Sequence, residues 1–368
     1  MTSDPLTSTP PRYVSVEAIE REFEALWRAT AAGADPDHPV FRSTMSNVVV
    51  LCRSDAEAGA VMAELPEVLA VHPARAIVLT ADAAAETAPL DAYVAAHCTL
   101  REGSQVCGES VTVTARGDAV RRLPATARAL LVGDLPATLW WATPEAPVLG
   151  GPLFAELAEM ARQVIFDSLG WLEPVRGMAA MARLEGDRPL LMDVCWRRLR
   201  GWRRILSQGL DPAFAPGAAE HVGELVLEHG PHALTQAWLL VGWFASHLGW
   251  RPATGKVAPG TEVTWRFEAA RGPVGVTVRR LPEGPPEIRS LGIAPAPAGA
   301  APRLGFESQA GGRLSVRTDG PTAGLRTLTF PAPPRAAMVA RQLSDLQPDP
   351  VFRSTLAFAT AMAASLTR

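Results

Sequence analysis

VVVLCRSDAEAGAVMAELPEVLAVHPARAIVLT, residues 48–80, is the stretch that decides the fold. VVVLCR (48–53) and AIVLT (76–80) are apolar runs rich in β-branched residues, which is typical of buried strands. The segment between them, 54–70, predicts a helix with Ser54 as its N-cap and a glutamate three residues later that completes a capping box. Strand, helix and strand predict two parallel strands joined by a right-handed crossover.

The same alternation continues on both sides of this stretch. Further helices are predicted at 16–31, 123–132 and 153–161, and further strands at 136–141 and 163–168. Residues 93–116 contain two strand-like runs around Glu102-Gly103-Ser104, which predicts an inserted antiparallel hairpin. An α/β domain over 13–190, with a mostly parallel sheet and this hairpin, accounts for the pattern. Residues 1–12 are rich in Pro, Ser and Thr, and we expect them to be disordered.

From residue 191 the pattern changes. A helix rich in Trp and Arg (195–208), a strand (220–228) and an apolar helix (233–249) come first. Short strand-like runs spaced by Gly and Pro then fill 261–330, which indicates an antiparallel meander, and helices at 335–346 and 350–366 close the chain. Residues 191–368 are therefore predicted to form an α+β domain with its helices packed on one antiparallel sheet.

Composition excludes several classes of protein. The 368 residues are 48% apolar and 20% charged, as in folded globular proteins. The net charge of −3 provides no positive field for a polyphosphate backbone, so nucleic acid is not an expected partner. The N-terminus lacks a secretory leader, and the most apolar segment, 233–250, carries Gln236, Ser246 and His247. We therefore expect no membrane anchor and a cytoplasmic location.

The motifs of common catalytic and cofactor sites are missing from the sequence. The single lysine, Lys256, lies in GWRPATGKV, whose spacing and final Val do not match a phosphate-binding P-loop. No G-x-G-x-x-G follows the first strand, and neither C-x-x-C nor H-E-x-x-H occurs. The sequence thus predicts no catalytic residue, no metal and no cofactor.

Two of the four cysteines, Cys98 and Cys107, lie in the predicted hairpin. If their Cβ atoms are about 4 Å apart, a disulfide and a redox pair are feasible. The sequence favours the simpler interpretation, in which both are small buried thiols.

Tryptophan and arginine form two conspicuous groups. Trp140 and Trp141 end a predicted strand, so their side chains must point to opposite faces of the sheet. A second group lies at helical spacing in CWRRLRGWRR and comprises Trp196, Arg200, Trp202, Arg203 and Arg204. Because Trp and Arg are enriched at interface hot spots, these seven residues are a hypothetical partner-binding set. The alternative is that the tryptophans pack between the domains and the arginines pair with carboxylates.

Five blocks of sequence carry a resemblance to a known family. They are HPARAIVL (72–79), CGESVTV (107–113), DLPATLWW (134–141), QVIFDS (163–168) and DVCWRRLRGWRRIL (193–206). In this order and spacing they resemble the signature blocks of OpcA proteins, with departures at Ala74, at Ser110 and at residues 161–163.

The resemblance implies a function. OpcA proteins are assembly or activating factors of glucose-6-phosphate dehydrogenase, the NADP-dependent entry step of the oxidative pentose phosphate pathway. It therefore implies a bacterial, non-catalytic protein that binds this dehydrogenase as an allosteric activator, and it supplies no catalytic residues.

An alternative function follows from the predicted parallel sheet. Ligands of such sheets bind at the carboxyl ends of the strands. The residues assigned to that ligand edge are His72, Arg75, Glu109, Asp167 and Ser168. On this alternative the chain is a sugar-phosphate enzyme or a metabolite sensor.

Overall fold

The computed structural model describes residues 6–35, 37–181, 184, 189–258, 262–296, 301–319 and 323–367. The chain forms two sheets. The strands of the first sheet are β1 (Leu6–Ser8), β2 (Arg12–Val14), β3 (Val40–Arg42), β4 (Asn47–Cys52), β5 (Arg75–Asp82), β6 (Ala88–Arg101), β7 (Ser104–Arg116), β8 (Ala137–Trp141), β9 (Gln163–Phe166) and β10 (Leu190–Asp193). Those of the second are β11 (Val222–His229), β12 (Arg251–Val257), β13 (Glu262–Ala269), β14 (Gly272–Arg280), β15 (Ile288–Pro295), β16 (Leu304–Gln309), β17 (Arg313–Thr318), β18 (Leu325–Thr329) and β19 (Leu366–Thr367).

The α-helices of the described residues lie between and around these strands. They are α1 (Ile19–Ala32), α2 (Asp55–Val71), α3 (Leu123–Leu130), α4 (Gly151–Glu159), α5 (Pro174–Met181), α6 (Val194–Arg198), α7 (Arg200–Gly209), α8 (Leu234–His247), α9 (Arg335–Ser344) and α10 (Pro350–Ala364). None of them combines the length and the apolar character needed to cross a membrane.

The first sheet contains six parallel strands in the order β7-β5-β4-β8-β9-β10. Counted along the chain this order is 3-2-1-4-5-6, that of doubly wound dinucleotide-binding folds. β6 pairs antiparallel with β7 through a turn at Glu102 and Gly103, both with positive φ, as a tight hairpin requires. The predicted mostly parallel sheet with an inserted hairpin is confirmed.

The second sheet is antiparallel apart from two pairs, β11 with β14 and β12 with β19. Alternate residues of β13, Val263, Trp265 and Phe267, are buried on the face that carries the helices. Trp265 packs against Trp238 of α8, with ring centroids 5.1 Å apart, and its Nε1 donates to the backbone carbonyl of Met362 in α10 at 3.2 Å. The predicted α+β region with an antiparallel sheet is therefore confirmed.

Several predicted elements differ from the structure. Leu6–Ser8 pairs with β6, although the composition indicated disorder there; residues 1–5 lie outside the described ranges. β11 lies between β14 and β15, so the second sheet is not a simple meander. The helix predicted over 195–208 is broken at Leu199 into α6 and α7. The pairing of Leu6–Ser8 and the position of β11 depend on contacts between residues distant in sequence, which local patterns do not encode.

The last unpredicted feature is the position of α9. Its apolar residues Met338, Val339 and Leu343 share a core with Val61 of α2 and Trp140 of β8. α9 therefore packs on the first sheet, whereas the sequence predicted all the late helices on the second. α7, α8 and α10 do pack against the second sheet, as predicted.

Candidate functional site

The structure divides the predicted ligand edge between opposite ends of the parallel sheet. Arg75 is the first residue of β5 and lies opposite Glu109 of β7, with His72 just before it, so these three lie at the amino edge. Asp167 and Ser168 follow β9 and lie at the carboxyl edge. The prediction that all five residues form one ligand edge is therefore wrong.

The guanidinium of Arg75 is bound to three other parts of the chain. Its Nε donates to Glu109 Oε1 at 2.6 Å, and its Nη1 donates to Glu20 Oε1 at 2.6 Å and to the Leu130 carbonyl at 3.1 Å. Its Nη2 donates to Glu20 Oε2 at 3.3 Å. Burial alone would lower the pKa of Arg75, but Glu109 and Glu20 outweigh it and the pKa is raised. Four of the five N–H donors of this side chain are thus bound within the chain.

Glu109 is the buried centre of what we call the Arg75 cluster, which comprises Arg75, Glu109, Glu20, Arg42 and Trp27. Besides the bond from Arg75, its carboxylate accepts from Trp27 Nε1 at 2.6 Å and from Arg42 Nη2 at 2.9 Å. The cluster therefore joins α1, β3, β5 and β7 at one point. A buried carboxylate with three donors from three elements holds those elements together.

His72 is also occupied within the fold. Its Nε2 lies 2.8 Å from Ser46 Oγ and its Nδ1 lies 3.1 Å from Ser344 Oγ at the end of α9. Burial lowers the pKa of His72, which favours the neutral ring. The amino edge is thus a structural junction.

Cys98 and Cys107 are directly opposite each other in the β6-β7 hairpin and are joined by a disulfide. The preferred interpretation as two free thiols is wrong, and the feasible pairing is the one observed. The hairpin register places the two Cα atoms 4.0 Å apart, which is why the sulfurs can meet. Cys52 remains a buried thiol, and burial raises its pKa to about 12.

The strand order implies a dinucleotide at the first turn from strand to helix, between β4 and α2. The residues there do not fit one. Ser54 Oγ accepts from the backbone N–H of Glu57 at 3.2 Å, and Glu57 Oε2 accepts from the backbone N–H of Arg53 at 2.7 Å. In a dinucleotide site, glycines let the pyrophosphate approach such N–H groups. Here the side chains of Ser54 and Glu57 occupy them, and the carboxylate would repel a phosphate.

At the carboxyl edge, Asp193 organises the ends of β9 and β10. Its carboxylate accepts from Ser168 N at 3.0 Å, from Ser168 Oγ at 2.6 Å and from Cys195 N at 2.9 Å. Burial, with a contribution from the charge of Asp167, raises the pKa of Asp193 to about 7. Asp167 in turn pairs with Arg198 at 2.6 Å. Asp167 and Ser168 thus bind neighbouring parts of the chain.

The four tryptophans of the hypothetical partner-binding set are buried. Trp140 and Trp141 are each 1% exposed and lie in the cores on opposite faces of the first sheet, as their alternation predicts. Trp196 and Trp202 are 3% and 6% exposed. The prediction that these indoles contact a partner directly finds no support in this arrangement, which matches the alternative of internal packing.

The arginines of that set have different surroundings. Arg200 and Arg204 are exposed on α7. Arg203 is partly buried, and its guanidinium carbon lies 3.4 Å from the centroid of the Trp196 ring, a cation–π contact. Trp196 Nε1 donates to Asp349 Oδ2 at 2.9 Å, so this stack is fixed to the start of α10.

A cavity of about 420 Å³ opens beside this stack. We call it the Arg203 cavity; it lies between α6, α7 and α9, and the residues of its wall used below are Trp196, Arg200, Arg203, Phe330, Met338 and Arg341. In the described part of the chain, no group of three or more His, Cys, Asp or Glu side chains is arranged to hold a metal ion.

The sequence analysis missed Asp193, Asp349 and Arg341. Asp193 and Asp349 are both N-caps, of α6 and α10, and an aspartate directly before a predicted helix was a usable signal for both. Arg341 carries no such signal, because only the docking of α9 brings it to the cavity.

The fold and these junctions define a two-sheet α/β protein of the doubly wound type whose phosphate-binding turn is closed by its own side chains. Two sequence profiles match the chain in order. They are described as the N-terminal domain (residues 66–183) and the C-terminal domain (residues 189–356) of a glucose-6-phosphate dehydrogenase subunit. Together they span most of the sequence, and the chain belongs to the OpcA family.

Curated relatives agree with this assignment. The chain is 31% identical over 166 residues to a protein of Nostoc punctiforme, and 28% identical over 208 residues to one of Synechococcus elongatus, both named OxPP cycle protein OpcA. These matches cover 44% and 54% of this chain. The chain spans only 35% and 46% of the length of these two relatives.

Among solved structures, the chain is similar to an oxidoreductase from Magnetospirillum magnetotacticum, with 12% identity and a TM-score of 0.48, covering 88% of this chain and 100% of that one. It is also similar to the oxidoreductase YvaA from Bacillus subtilis, with 11% identity and a TM-score of 0.49, covering 87% and 96%. Likeness at this level says nothing about activity.

Proposed function

We propose that this protein binds glucose-6-phosphate dehydrogenase and promotes its assembly or its active state, and that it does no chemistry itself. The observation that carries the proposal is the ordered match to both domains of the family described as a subunit of that dehydrogenase. The turn between β4 and α2 supports the proposal. The side chains of Ser54 and Glu57 occupy the backbone N–H groups that would bind the redox cofactor implied by the strand order.

An activator of this kind must bind the active dehydrogenase more tightly than the inactive form, because equal affinity for the two shifts no equilibrium. A tenfold preference corresponds to about 1.4 kcal/mol. One or two well-placed arginine contacts can supply this difference.

Within the hypothetical partner-binding set, Arg200 and Arg204 are the side chains exposed to solvent. Arg200 also lines the Arg203 cavity, so we assign the partner contact to the outer face of α7 at Arg204, whose guanidinium can pair with a carboxylate. The tryptophans then act only by holding α7 in place. Arg204 is therefore the better residue to substitute in a test, because its side chain does not line the Arg203 cavity.

The test combines purified chain with the dehydrogenase of the same organism. We expect the two proteins to elute together in size-exclusion chromatography and the dehydrogenase to need less substrate for half-maximal rate. Arg204→Glu should weaken the complex at least about tenfold by replacing attraction with repulsion.

The matched control is Arg266→Glu, since Arg266 is exposed on β13 between the buried side chains of Trp265 and Phe267. It changes charge by the same amount on a different surface and should leave the complex intact. If the two proteins neither associate nor alter the kinetics at micromolar concentration, the proposal is wrong.

A further inference from the structure

The Arg203 cavity has an unusual balance of charge. Arg200 and Arg203 reach it from α7 and Arg341 reaches it from α9. Within the described ranges, none of these three guanidinium groups forms a salt bridge. The charges of three arginines therefore face one space without a carboxylate partner.

The carboxylates near the cavity are already bound elsewhere. Asp349 accepts from Trp196 and from the backbone N–H of Phe352 at 2.8 Å, where it caps α10. Asp345 pairs with Arg197 at 3.2 Å. Asp193 is turned towards Ser168, as described above. All three aspartates line the cavity, and within the residues that the structure describes none of them forms a salt bridge with the three arginines, although the charge of Asp349 acts on Arg203.

The lack of a carboxylate partner affects Arg203 most directly. Its Nε is buried and has no hydrogen-bond partner. Burial lowers its pKa to about 10; the charge of Asp349 opposes this shift and that of Arg200 adds to it. A buried donor without an acceptor is destabilising, and such groups in native proteins commonly mark a site that something else completes.

The walls also contain an apolar part. Phe330 and Met338 line the cavity beside the Trp196 ring. The volume of about 420 Å³ falls within the range of small-molecule sites, and a bare inorganic anion would fill only a fraction of it. Apolar walls with a few convergent polar groups are the usual composition of a ligand pocket.

We infer that the Arg203 cavity binds a small phosphate monoester, with the phosphate on Arg200, Arg203 and Arg341 and the organic part against Phe330 and Met338. A phosphate presents a double negative charge and three acceptor oxygens, which match the forked donors of arginine. The ligand would join α7 to α9, and so the second sheet to the first. This inference concerns the chain alone and does not depend on the proposed dehydrogenase complex.

Isothermal titration calorimetry of the full chain tests the site, with glucose 6-phosphate, inorganic phosphate and glucose as probes. We expect glucose 6-phosphate to bind, inorganic phosphate to bind at least about tenfold more weakly for want of the apolar contact, and glucose to give no heat of binding. Arg203→Gln and Arg341→Gln should each weaken binding of glucose 6-phosphate about tenfold or more.

Arg266→Gln is the control, because it removes the same charge from an exposed position outside the cavity; its affinity should equal that of the unchanged chain. Arg341 is exposed, so its replacement keeps the fold and makes the result interpretable even if Arg203→Gln unfolds. Absence of binding, or equal affinity in Arg341→Gln, would overturn the site. Equal affinity for inorganic phosphate and glucose 6-phosphate would overturn the choice of a monoester.

Discussion

Arg75 and Arg203 are both largely buried arginines packed against an aromatic ring, yet their surroundings differ in almost every other respect. Arg75 lies over Phe23 and donates to Glu109, Glu20 and a backbone carbonyl. Arg203 lies over Trp196 and leaves its Nε without an acceptor. The pKa of Arg75 is raised, whereas that of Arg203 is lowered to about 10.

The set of partners, and not the type of residue, separates a structural arginine from a candidate binding residue. The members of the Arg75 cluster form hydrogen bonds with one another and hold four elements together. Arg203 has no comparable set of partners, since its Nε forms no hydrogen bond within the described chain. Stability measurements should therefore respond to Arg75, and binding measurements to Arg203.

The largest expected effect is that of Arg75→Met, which keeps the apolar stem and removes the charge. Glu109 would lose its strongest donor inside the protein, and breaking a buried ion pair from one side costs about 3–5 kcal/mol. The free energy of unfolding in urea should fall by this amount, towards the lower end because Arg42 and Trp27 still donate to Glu109. A loss below about 1 kcal/mol would show that Arg75 contributes no more to the free energy of unfolding than is expected of Arg203.

The next effect concerns pH and lies at the carboxyl edge, beside the cavity. The pKa of Asp193 rises from an ordinary value near 4 when unfolded to about 7 when folded. The folded state therefore binds this proton more tightly, and stability falls as pH rises from about 4 to about 7, by on the order of 1 kcal/mol per pH unit.

Asp193→Asn should remove this dependence, because an amide can replace the protonated carboxyl towards Ser168 without ionising. Melting temperatures measured between pH 5 and pH 8 should fall less for the variant than for the unchanged chain. Parallel curves for the two proteins would show that Asp193 titrates normally.

A smaller effect is expected from reduction of the Cys98–Cys107 disulfide beside the Arg75 cluster. The bond closes a loop with a sequence separation of 9, and the loss of that constraint on the unfolded chain costs about 2–3 kcal/mol. Denaturation with and without a reductant measures this difference, with Cys98→Ser as the control that should not respond. Binding of glucose 6-phosphate by the reduced, still folded chain should be unchanged, since the Arg203 cavity lies in a different part of the molecule.

The smallest effect is that of Arg203→Met on stability. The variant loses the cation–π contact with Trp196 but also removes an unsatisfied buried donor and its repulsion from Arg200. We expect the free energy of unfolding to change by less than about 1 kcal/mol in either direction. A loss comparable to that of Arg75→Met would make Arg203 a structural residue.

Local patterns predicted the parts of the fold that depend on neighbouring residues. The cap at Ser54 and the opposite faces of Trp140 and Trp141 follow from spacing along one helix or strand. The hairpin made the facing positions of Cys98 and Cys107 feasible, but the preferred interpretation left these cysteines unpaired. The family was also identified from local blocks.

Two predictions failed for different reasons. The predicted ligand edge grouped Arg75 with Asp167 and Ser168, although Arg75 precedes its strand and the other two follow theirs. Because parallel strands run in the same direction, these positions lie at opposite edges of the sheet, and the order along the chain already contained this signal. The Arg203 cavity had no such signal, since Arg203 and Arg341 meet only after α9 docks on the first sheet, and a one-dimensional pattern does not determine that tertiary arrangement.

The docking of α9 has a consequence for how the polypeptide can be divided. Arg335 pairs with Glu64 at 3.0 Å and Met338 and Val339 are buried against the first sheet, so the late chain completes the core begun by the early chain. A fragment that ends near residue 190 would present that apolar surface to water and invite self-association. The two sheets are therefore not modules that can be exchanged separately, and insertions or truncations in the second half act on the folding cooperativity of the first.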